Sequence, residues 1–118
     1  MNANNTAEID LEEAKKLIAN GSKIMLFERS YAEVQVLSET FGVGEDRIGI
    51  IDMNDVQVLH MHYGEEADIA KIANKFDNAV IVCQHGNTSR MMVKILANEK
   101  VKAYSLIGGT TGIAGHEF

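Results

Sequence analysis

The chain has 118 residues, enough for one domain with one hydrophobic core and little room for a second. Apolar residues make up 46% and charged residues 24%; 11 Lys and Arg oppose 17 Asp and Glu for a formal charge of −6, without the basic stripe that a broad nucleic-acid surface needs. Cys83 is the one cysteine, which excludes an internal disulfide framework and a four-cysteine zinc site.

Residues 1–8 are polar and read as a flexible N-terminal tail ahead of a single domain over 9–118. With no apolar stretch, the tail reads as neither a secretory signal nor a membrane anchor, and no run in the chain approaches the roughly 20 apolar residues of a membrane span. The expectation is a cytoplasmic protein with no nucleic-acid or membrane partner, and a lone thiol fits that reducing compartment. Asp10 and Glu13 make a D-x-x-E pattern at a helix start. Leu11, Ala14, Leu17 and Ile18 then recur at helical spacing, and Gly21 ends the helix. Residues 23–27 read as a buried strand. Ser30 and Glu33 form a second capping box, and Val34, Leu37 and Phe41 continue it as a helix closed by Gly42.

Residues 48–53 read as another strand, and 54–63 as strand or loop. Over 65–76 the stripe Ile69, Ile72, Ala73 and Phe76 predicts a helix, acidic early and basic late as its dipole favours. Residues 79–82 read as a buried strand that ends at Cys83. A polar loop follows, then a helix over 89–98 with Met92, Val93, Leu96 and Ala97 inward, then a last strand over 101–106. Continuous apolar strands alternating with helices predict an α/β fold: a small parallel sheet with helices on both faces. Ligands of such folds sit at the carboxyl ends of the strands, where Cys83 lies.

The segment strand–Cys83–loop–helix carries the chemistry. If the loop curls around the sulfur, its backbone N–H groups and the positive end of the following helix favour thiolate over thiol, and thiolate is the nucleophile. Gly86 lets the chain bend, and Thr88 and Ser89 are placed to cap the helix or to donate to a bound anion. The alternative is a buried, inert cysteine at a strand end; spacing alone does not separate the two.

The run Val80-Ile81-Val82-Cys83-Gln84-His85-Gly86-Asn87-Thr88-Ser89 resembles the active-site loop of rhodanese-like sulfurtransferases, C-x-x-G-x-x-S after an apolar strand. Leu96-Ala97, the strand at 101–106 and Ile107-Gly108-Gly109 resemble that family's helix, strand and Gly-Gly turn. Residues 9–18 resemble its opening helix, and Arg29-x-x-x-Glu33 resembles the Arg and Glu after its first strand. The likeness spans most of the chain, strongest over 79–109 and weakest over 34–63. There are departures. Phe27 stands where the family commonly has Asp. Arg47-Ile48-Gly49 echoes His-Ile-Pro-Gly without the proline. No Trp follows Gly108-Gly109, and the final helix reads as shortened to a tail over 110–118.

The resemblance implies sulfur transfer by double displacement, with no metal or organic cofactor. Cys83 takes sulfane sulfur from a small-molecule donor such as thiosulfate, becomes a persulfide, and passes the sulfur to a thiol, to a protein acceptor, or to cyanide in an assay. The loop Gln84, His85, Gly86, Asn87, Thr88 and Ser89 would bind the anionic sulfur and select the donor. His85, when protonated, would draw an anionic donor to the mouth, unless it is simply a solvated loop histidine. Arg29 and Arg90 are further pocket candidates; the other reading of Arg90 is a surface arginine.

Three rival readings remain. A cysteine phosphatase needs C-x5-R for its bidentate clamp on phosphate, but Ser89 holds that position and Arg90 comes one residue late. A metal site would combine His60 and His62, on one strand face, with Cys83 and His85; no spacing brings those pairs together. A non-catalytic binding or regulatory module of the same fold is the third.

Overall fold

The run Ala79-Val80-Ile81-Val82 is apolar at every position, and such a strand is stable only where both faces are covered. That condition sets the architecture. The computed structural model describes residues 8–55, residue 57 and residues 74–116. Among these, five strands form one sheet: β1 Glu8–Ile9, β2 Lys23–Leu26, β3 Ile48–Ile50, β4 Ala79–Val82 and β5 Ala103–Leu106. Their order is β1-β5-β4-β2-β3 and every pairing is parallel, so β4 is central. The main helices among the described residues are α1 Leu11–Ala19, α2 Tyr31–Phe41, α3 Asn87–Asn98 and α4 Gly109–Ala114.

Strand alternation sends the β4 side chains to two cores. Ala79 and Ile81 pack with Phe76, Ala103 and the α3 residues Met92, Val93 and Leu96. Val80 and Val82 pack with Ala14 and Ile18 of α1 and Val34 and Leu37 of α2, and Ile113 of α4 lies against the same cluster. Each fully buried Leu, Ile, Val or Met contributes about 1.5–3 kcal/mol of transfer free energy. Helices thus cover both faces, as the apolar runs predict. The chain leaves β2 toward α2 on one face, and leaves the adjacent β4 toward α3 on the other. A crevice opens at the carboxyl ends of two neighbouring strands whose connections diverge in this way.

The caps follow their sequence signals. Asp10 Oδ1 accepts from the Glu13 N–H at 2.9 Å. Glu33 Oε1 accepts from the Ser30 N–H at 3.0 Å, and Gly42 closes α2 in the left-handed conformation at φ 63°.

Several boundaries differ from the sequence reading. Glu8 and Ile9 form a short strand, because β5 offers them a parallel edge: the Ile107 N–H donates to the Ile9 carbonyl at 2.9 Å. Residues 1–7 lie outside the described residues. The strand expected over 48–53 stops at Ile50. Asp52 Oδ1 accepts from the Asp55 N–H at 2.8 Å and caps a helical turn at 53–55, which takes in the last residue of the expected strand and the first two of the span read as strand or loop. The buried Asp55 carboxylate pairs with Lys75 Nζ at 3.0 Å. Of the helix expected over 65–76, the last three residues, Asn74–Phe76, are a 3-10 turn, and 65–73 lie outside the described residues. The tail expected after Gly109 instead begins with helix α4. Among the described residues no helix is long and apolar enough to cross a membrane.

Candidate active site

Cys83 follows β4 directly and is 4% exposed. Its sulfur lies at a pocket of about 130 Å³ lined by Phe27 and Arg29 from the β2–α2 connection and by Cys83, Gln84, His85, Asn87 and Thr88. The pocket therefore occupies the crevice that the strand order creates.

Two backbone donors aim at the sulfur: the N–H groups of Gly86 and Ser89 lie 3.1 and 3.4 Å from Sγ. Gly86 makes this turn possible. It sits at φ 93°, and a Cβ there would come within 3.1 Å of Gly108 N and 3.3 Å of the Leu106 carbonyl. Helix α3 starts at the next residue, so its positive dipole end faces the same sulfur. The Ser89 side chain also turns inward. Its Oγ lies 3.5 Å from Sγ, 3.2 Å from the Gly86 carbonyl and 2.7 Å from Ser105 Oγ on β5.

A second set of bonds holds the loop from behind. The carbonyls of Cys83 and Gln84 accept from the N–H groups of Thr110 and Thr111 on α4, each at 3.0 Å. This approach requires Gly109, at φ 59°, because a Cβ would fall 2.1 Å from the Cys83 carbonyl oxygen. Thr110 Oγ1 donates to Glu33 Oε2 at 2.5 Å, and Glu33 Oε1 also accepts from the Arg29 N–H at 2.5 Å. A wholly buried carboxylate thus ties the backbone under Arg29 to the helix that holds the Cys83 loop. Its cost of burial is offset by these charge-assisted hydrogen bonds.

The residues singled out in the sequence fall into three places. Gln84, His85, Asn87, Thr88 and Arg29 line the pocket with Cys83. Gly86 and Ser89 lie behind the sulfur and contact it. Arg90 does not line the pocket: it is exposed, its Nη2 donates to Asn87 Oδ1 at 3.4 Å, and Nη1 lies 3.9 Å from Glu8 Oε1. The expected capping role of Thr88 and Ser89 also needs correction. Helix α3 begins two residues earlier, at Asn87, with Gly86 as its N-cap and no side-chain cap. The Ser89 hydroxyl is drawn to Ser105 and the sulfur instead. Among the described residues no group of three or more His, Cys, Asp or Glu is placed to hold a metal ion; His60 and His62 lie outside them.

No family model matches the sequence, and no protein of curated function matches it. The structure is similar to the crystal structure of a rhodanese-related protein from Thermoplasma volcanium. The two share 11% identity, over 92% of this chain and 90% of that one, with a TM-score of 0.57. At that identity the likeness is one of architecture.

The fold is rhodanese-like.

Within this rhodanese-like fold, two neighbours of the loop escaped the sequence reading. Ser105 lies in the strand Ala-Tyr-Ser-Leu, where the one signal is a small polar residue alternating with Ala103 toward the α3 face. Thr110 follows the Gly-Gly turn with no motif of its own. Both become visible only through long-range contacts.

Proposed function

We propose that this chain is a sulfurtransferase that carries sulfane sulfur as a persulfide on Cys83. The observation that carries this reading is the setting of Sγ. Cys83 lines a polar pocket, with the Gly86 and Ser89 N–H groups and the α3 N-terminus directed at its sulfur. Such donors stabilise negative charge on a nucleophilic sulfur and on the oxyanion or sulfur anion bound beside it. The Arg29 guanidinium lines the same pocket, and no carboxylate among the described residues pairs with it. Its charge is available to an anionic donor.

In the first step the Cys83 thiolate attacks the outer sulfur of thiosulfate. A sulfur–sulfur bond forms to Cys83, the bond to the sulfonate sulfur breaks, and sulfite leaves with that electron pair. The anionic persulfide then gives its terminal sulfur to an acceptor nucleophile: cyanide becomes thiocyanate, or a thiolate becomes a new persulfide, and the Cys83 thiolate returns. The chain has no second cysteine to resolve the persulfide, so the acceptor is an outside thiol, free or on a partner protein in a reducing compartment. A phosphatase reading would need an arginine in the pocket at the position of Ser89, and Arg90 does not line it.

The test is thiocyanate formation from thiosulfate and cyanide, with wild type compared against Cys83→Ser. Wild type should form thiocyanate, and the variant, with an unchanged circular-dichroism spectrum, should fall to the uncatalysed rate. A folded Cys83→Ser protein that retained the activity would overturn the mechanism. Wild type inert with both thiosulfate and inorganic polysulfide would leave the binding-module reading in its place.

A further inference from the structure

Ser105 stands on β5, beside the strand that carries Cys83, and is 1% exposed. Its hydroxyl is 2.7 Å from Ser89 Oγ, its one side-chain partner among the described residues. Ser89 Oγ in turn faces two further groups, the Gly86 carbonyl at 3.2 Å and Cys83 Sγ at 3.5 Å.

A serine hydroxyl has one proton to donate and two lone pairs to accept with. The Gly86 carbonyl only accepts, so it takes the Ser89 proton while Cys83 is a thiol. In that state the Cys83 S–H and the Ser105 O–H both donate to Ser89 Oγ, and every group is satisfied. Loss of the thiol proton changes the balance. The thiolate only accepts, and the Ser89 proton is now shared between the carbonyl and the sulfur. The Ser105 proton decides whether that sharing is possible. Donated to Ser89 Oγ, it fills one lone pair and leaves the Ser89 proton on the side of Gly86 and Cys83. Without it, Ser89 Oγ loses that constraint and its proton is no longer held toward the sulfur.

We propose that Ser105 is a positioning residue: its hydroxyl donates to Ser89 Oγ and keeps the Ser89 proton aimed at Cys83 when the sulfur is anionic. Ser105 acts through Ser89 and touches neither the sulfur nor the donor. The proposal rests on the reading of Cys83 as the nucleophile. It brings β5 into the site, as a strand that supplies orientation.

The titratable side chains that line the Cys83 pocket are Arg29, after β2, and His85, in the loop itself. On α3, Arg90 and Lys94 are exposed; on β5, Tyr104 packs against the opposite core; β4 and α4 carry none. Glu33 stands behind Thr110 and reaches the loop through it. None of these is altered by a change at Ser105, so a shift in the reactivity of Cys83 reports on the hydroxyl pair.

The experiment is alkylation of the full chain by iodoacetamide across pH, followed by intact mass; the one cysteine gives a single-site signal. Ser105→Ala should raise the midpoint of the alkylation profile and slow the reaction at neutral pH about three- to tenfold, the span of one hydrogen bond. Ser89→Ala should shift it at least as far, and Ser105→Ala should add nothing in that background. The isosteric pair Ser105→Thr and Ser105→Val repeats the comparison at constant volume. Thr should keep the wild-type profile and Val should move it. A wild-type profile in folded Ser105→Ala and Ser105→Val, or an undiminished Ser105→Ala effect when Ser89 is already Ala, would overturn the proposal. Alkylation uses no sulfur donor. A shifted profile in a protein that forms no thiocyanate would keep the role of Ser105 and remove the sulfurtransferase reading.

Discussion

On its inward side Cys83 meets groups that are almost wholly buried and hydrogen-bonded: Gly86, Ser89 and Thr110, with Ser105 behind Ser89 and Glu33 behind Thr110. On its outward side it meets Gln84, His85, Asn87, Thr88 and Arg29, which are half-buried or exposed around an open pocket. The inward side has little freedom. Its donors and acceptors are matched, and no buried side-chain polar atom among the described residues is without a partner. It fixes where the sulfur sits. The outward side opens on the pocket, where the proposed reaction would meet a donor anion. If the proposed function holds, position and choice of substrate are carried by different residues, and changes on the two sides should fail in different ways.

The largest effect short of removing the sulfur should come from Gly109→Ala. The new Cβ would fall 2.1 Å from the Cys83 carbonyl oxygen and 2.6 Å from that of Gln84, at a left-handed backbone position. The expected loss is roughly 2–4 kcal/mol, combining backbone strain and overpacking. A urea-unfolding midpoint measures it, and sulfur transfer should fall with it, since the carbonyls that hold the loop must move. Gly112→Ala is the control. Gly112 lies in the same helix, its nearest Cβ contact is an ordinary 3.8 Å, and its midpoint should hold or rise slightly. Equal destabilisation by both would erase the contrast between the inward side and its surroundings.

On the outward side the effect should be smaller and of another kind. Arg29→Ala leaves stability unchanged, because the side chain is exposed. It should raise the KM for thiosulfate about two- to fivefold, the span of an exposed ion pair, with little change in kcat. The ionic-strength dependence of kcat/KM should flatten with it, since salt screens an exposed charge. A fall in kcat with KM unchanged would place Arg29 in the chemical step and break the division between the two sides.

The outward side was also the more legible in the sequence. Gln84, His85, Asn87 and Thr88 follow Cys83 within five residues, so one motif names them. The frame was legible for a related reason: β4 and β2 are short apolar runs, and α1 and α2 carry their caps within a few residues of their starts. The inward side depends on partners distant in the chain. Glu33 reads locally as a helix-capping carboxylate, and only the fold shows that it also holds Thr110, 77 residues on. Ser89 reads as a cap until Ser105, 16 residues on, draws its hydroxyl inward. The two-residue β1 has no period to detect and exists because β5 pairs with it. Helix α4, Gly-Thr-Thr-Gly-Ile-Ala, has poor intrinsic propensity and is held by its bonds to the Cys83 loop and its packing against the α2-side core.

The measurement that bears most directly on Cys83 as a sulfur carrier is the intact mass of the whole chain after incubation with thiosulfate. A gain of one sulfur atom is expected, absent from Cys83→Ser and reversed by cyanide with release of thiocyanate. An unchanged mass under conditions where iodoacetamide still alkylates Cys83 would show a reachable, reactive thiol that does not take up sulfur from thiosulfate, and would contradict the account.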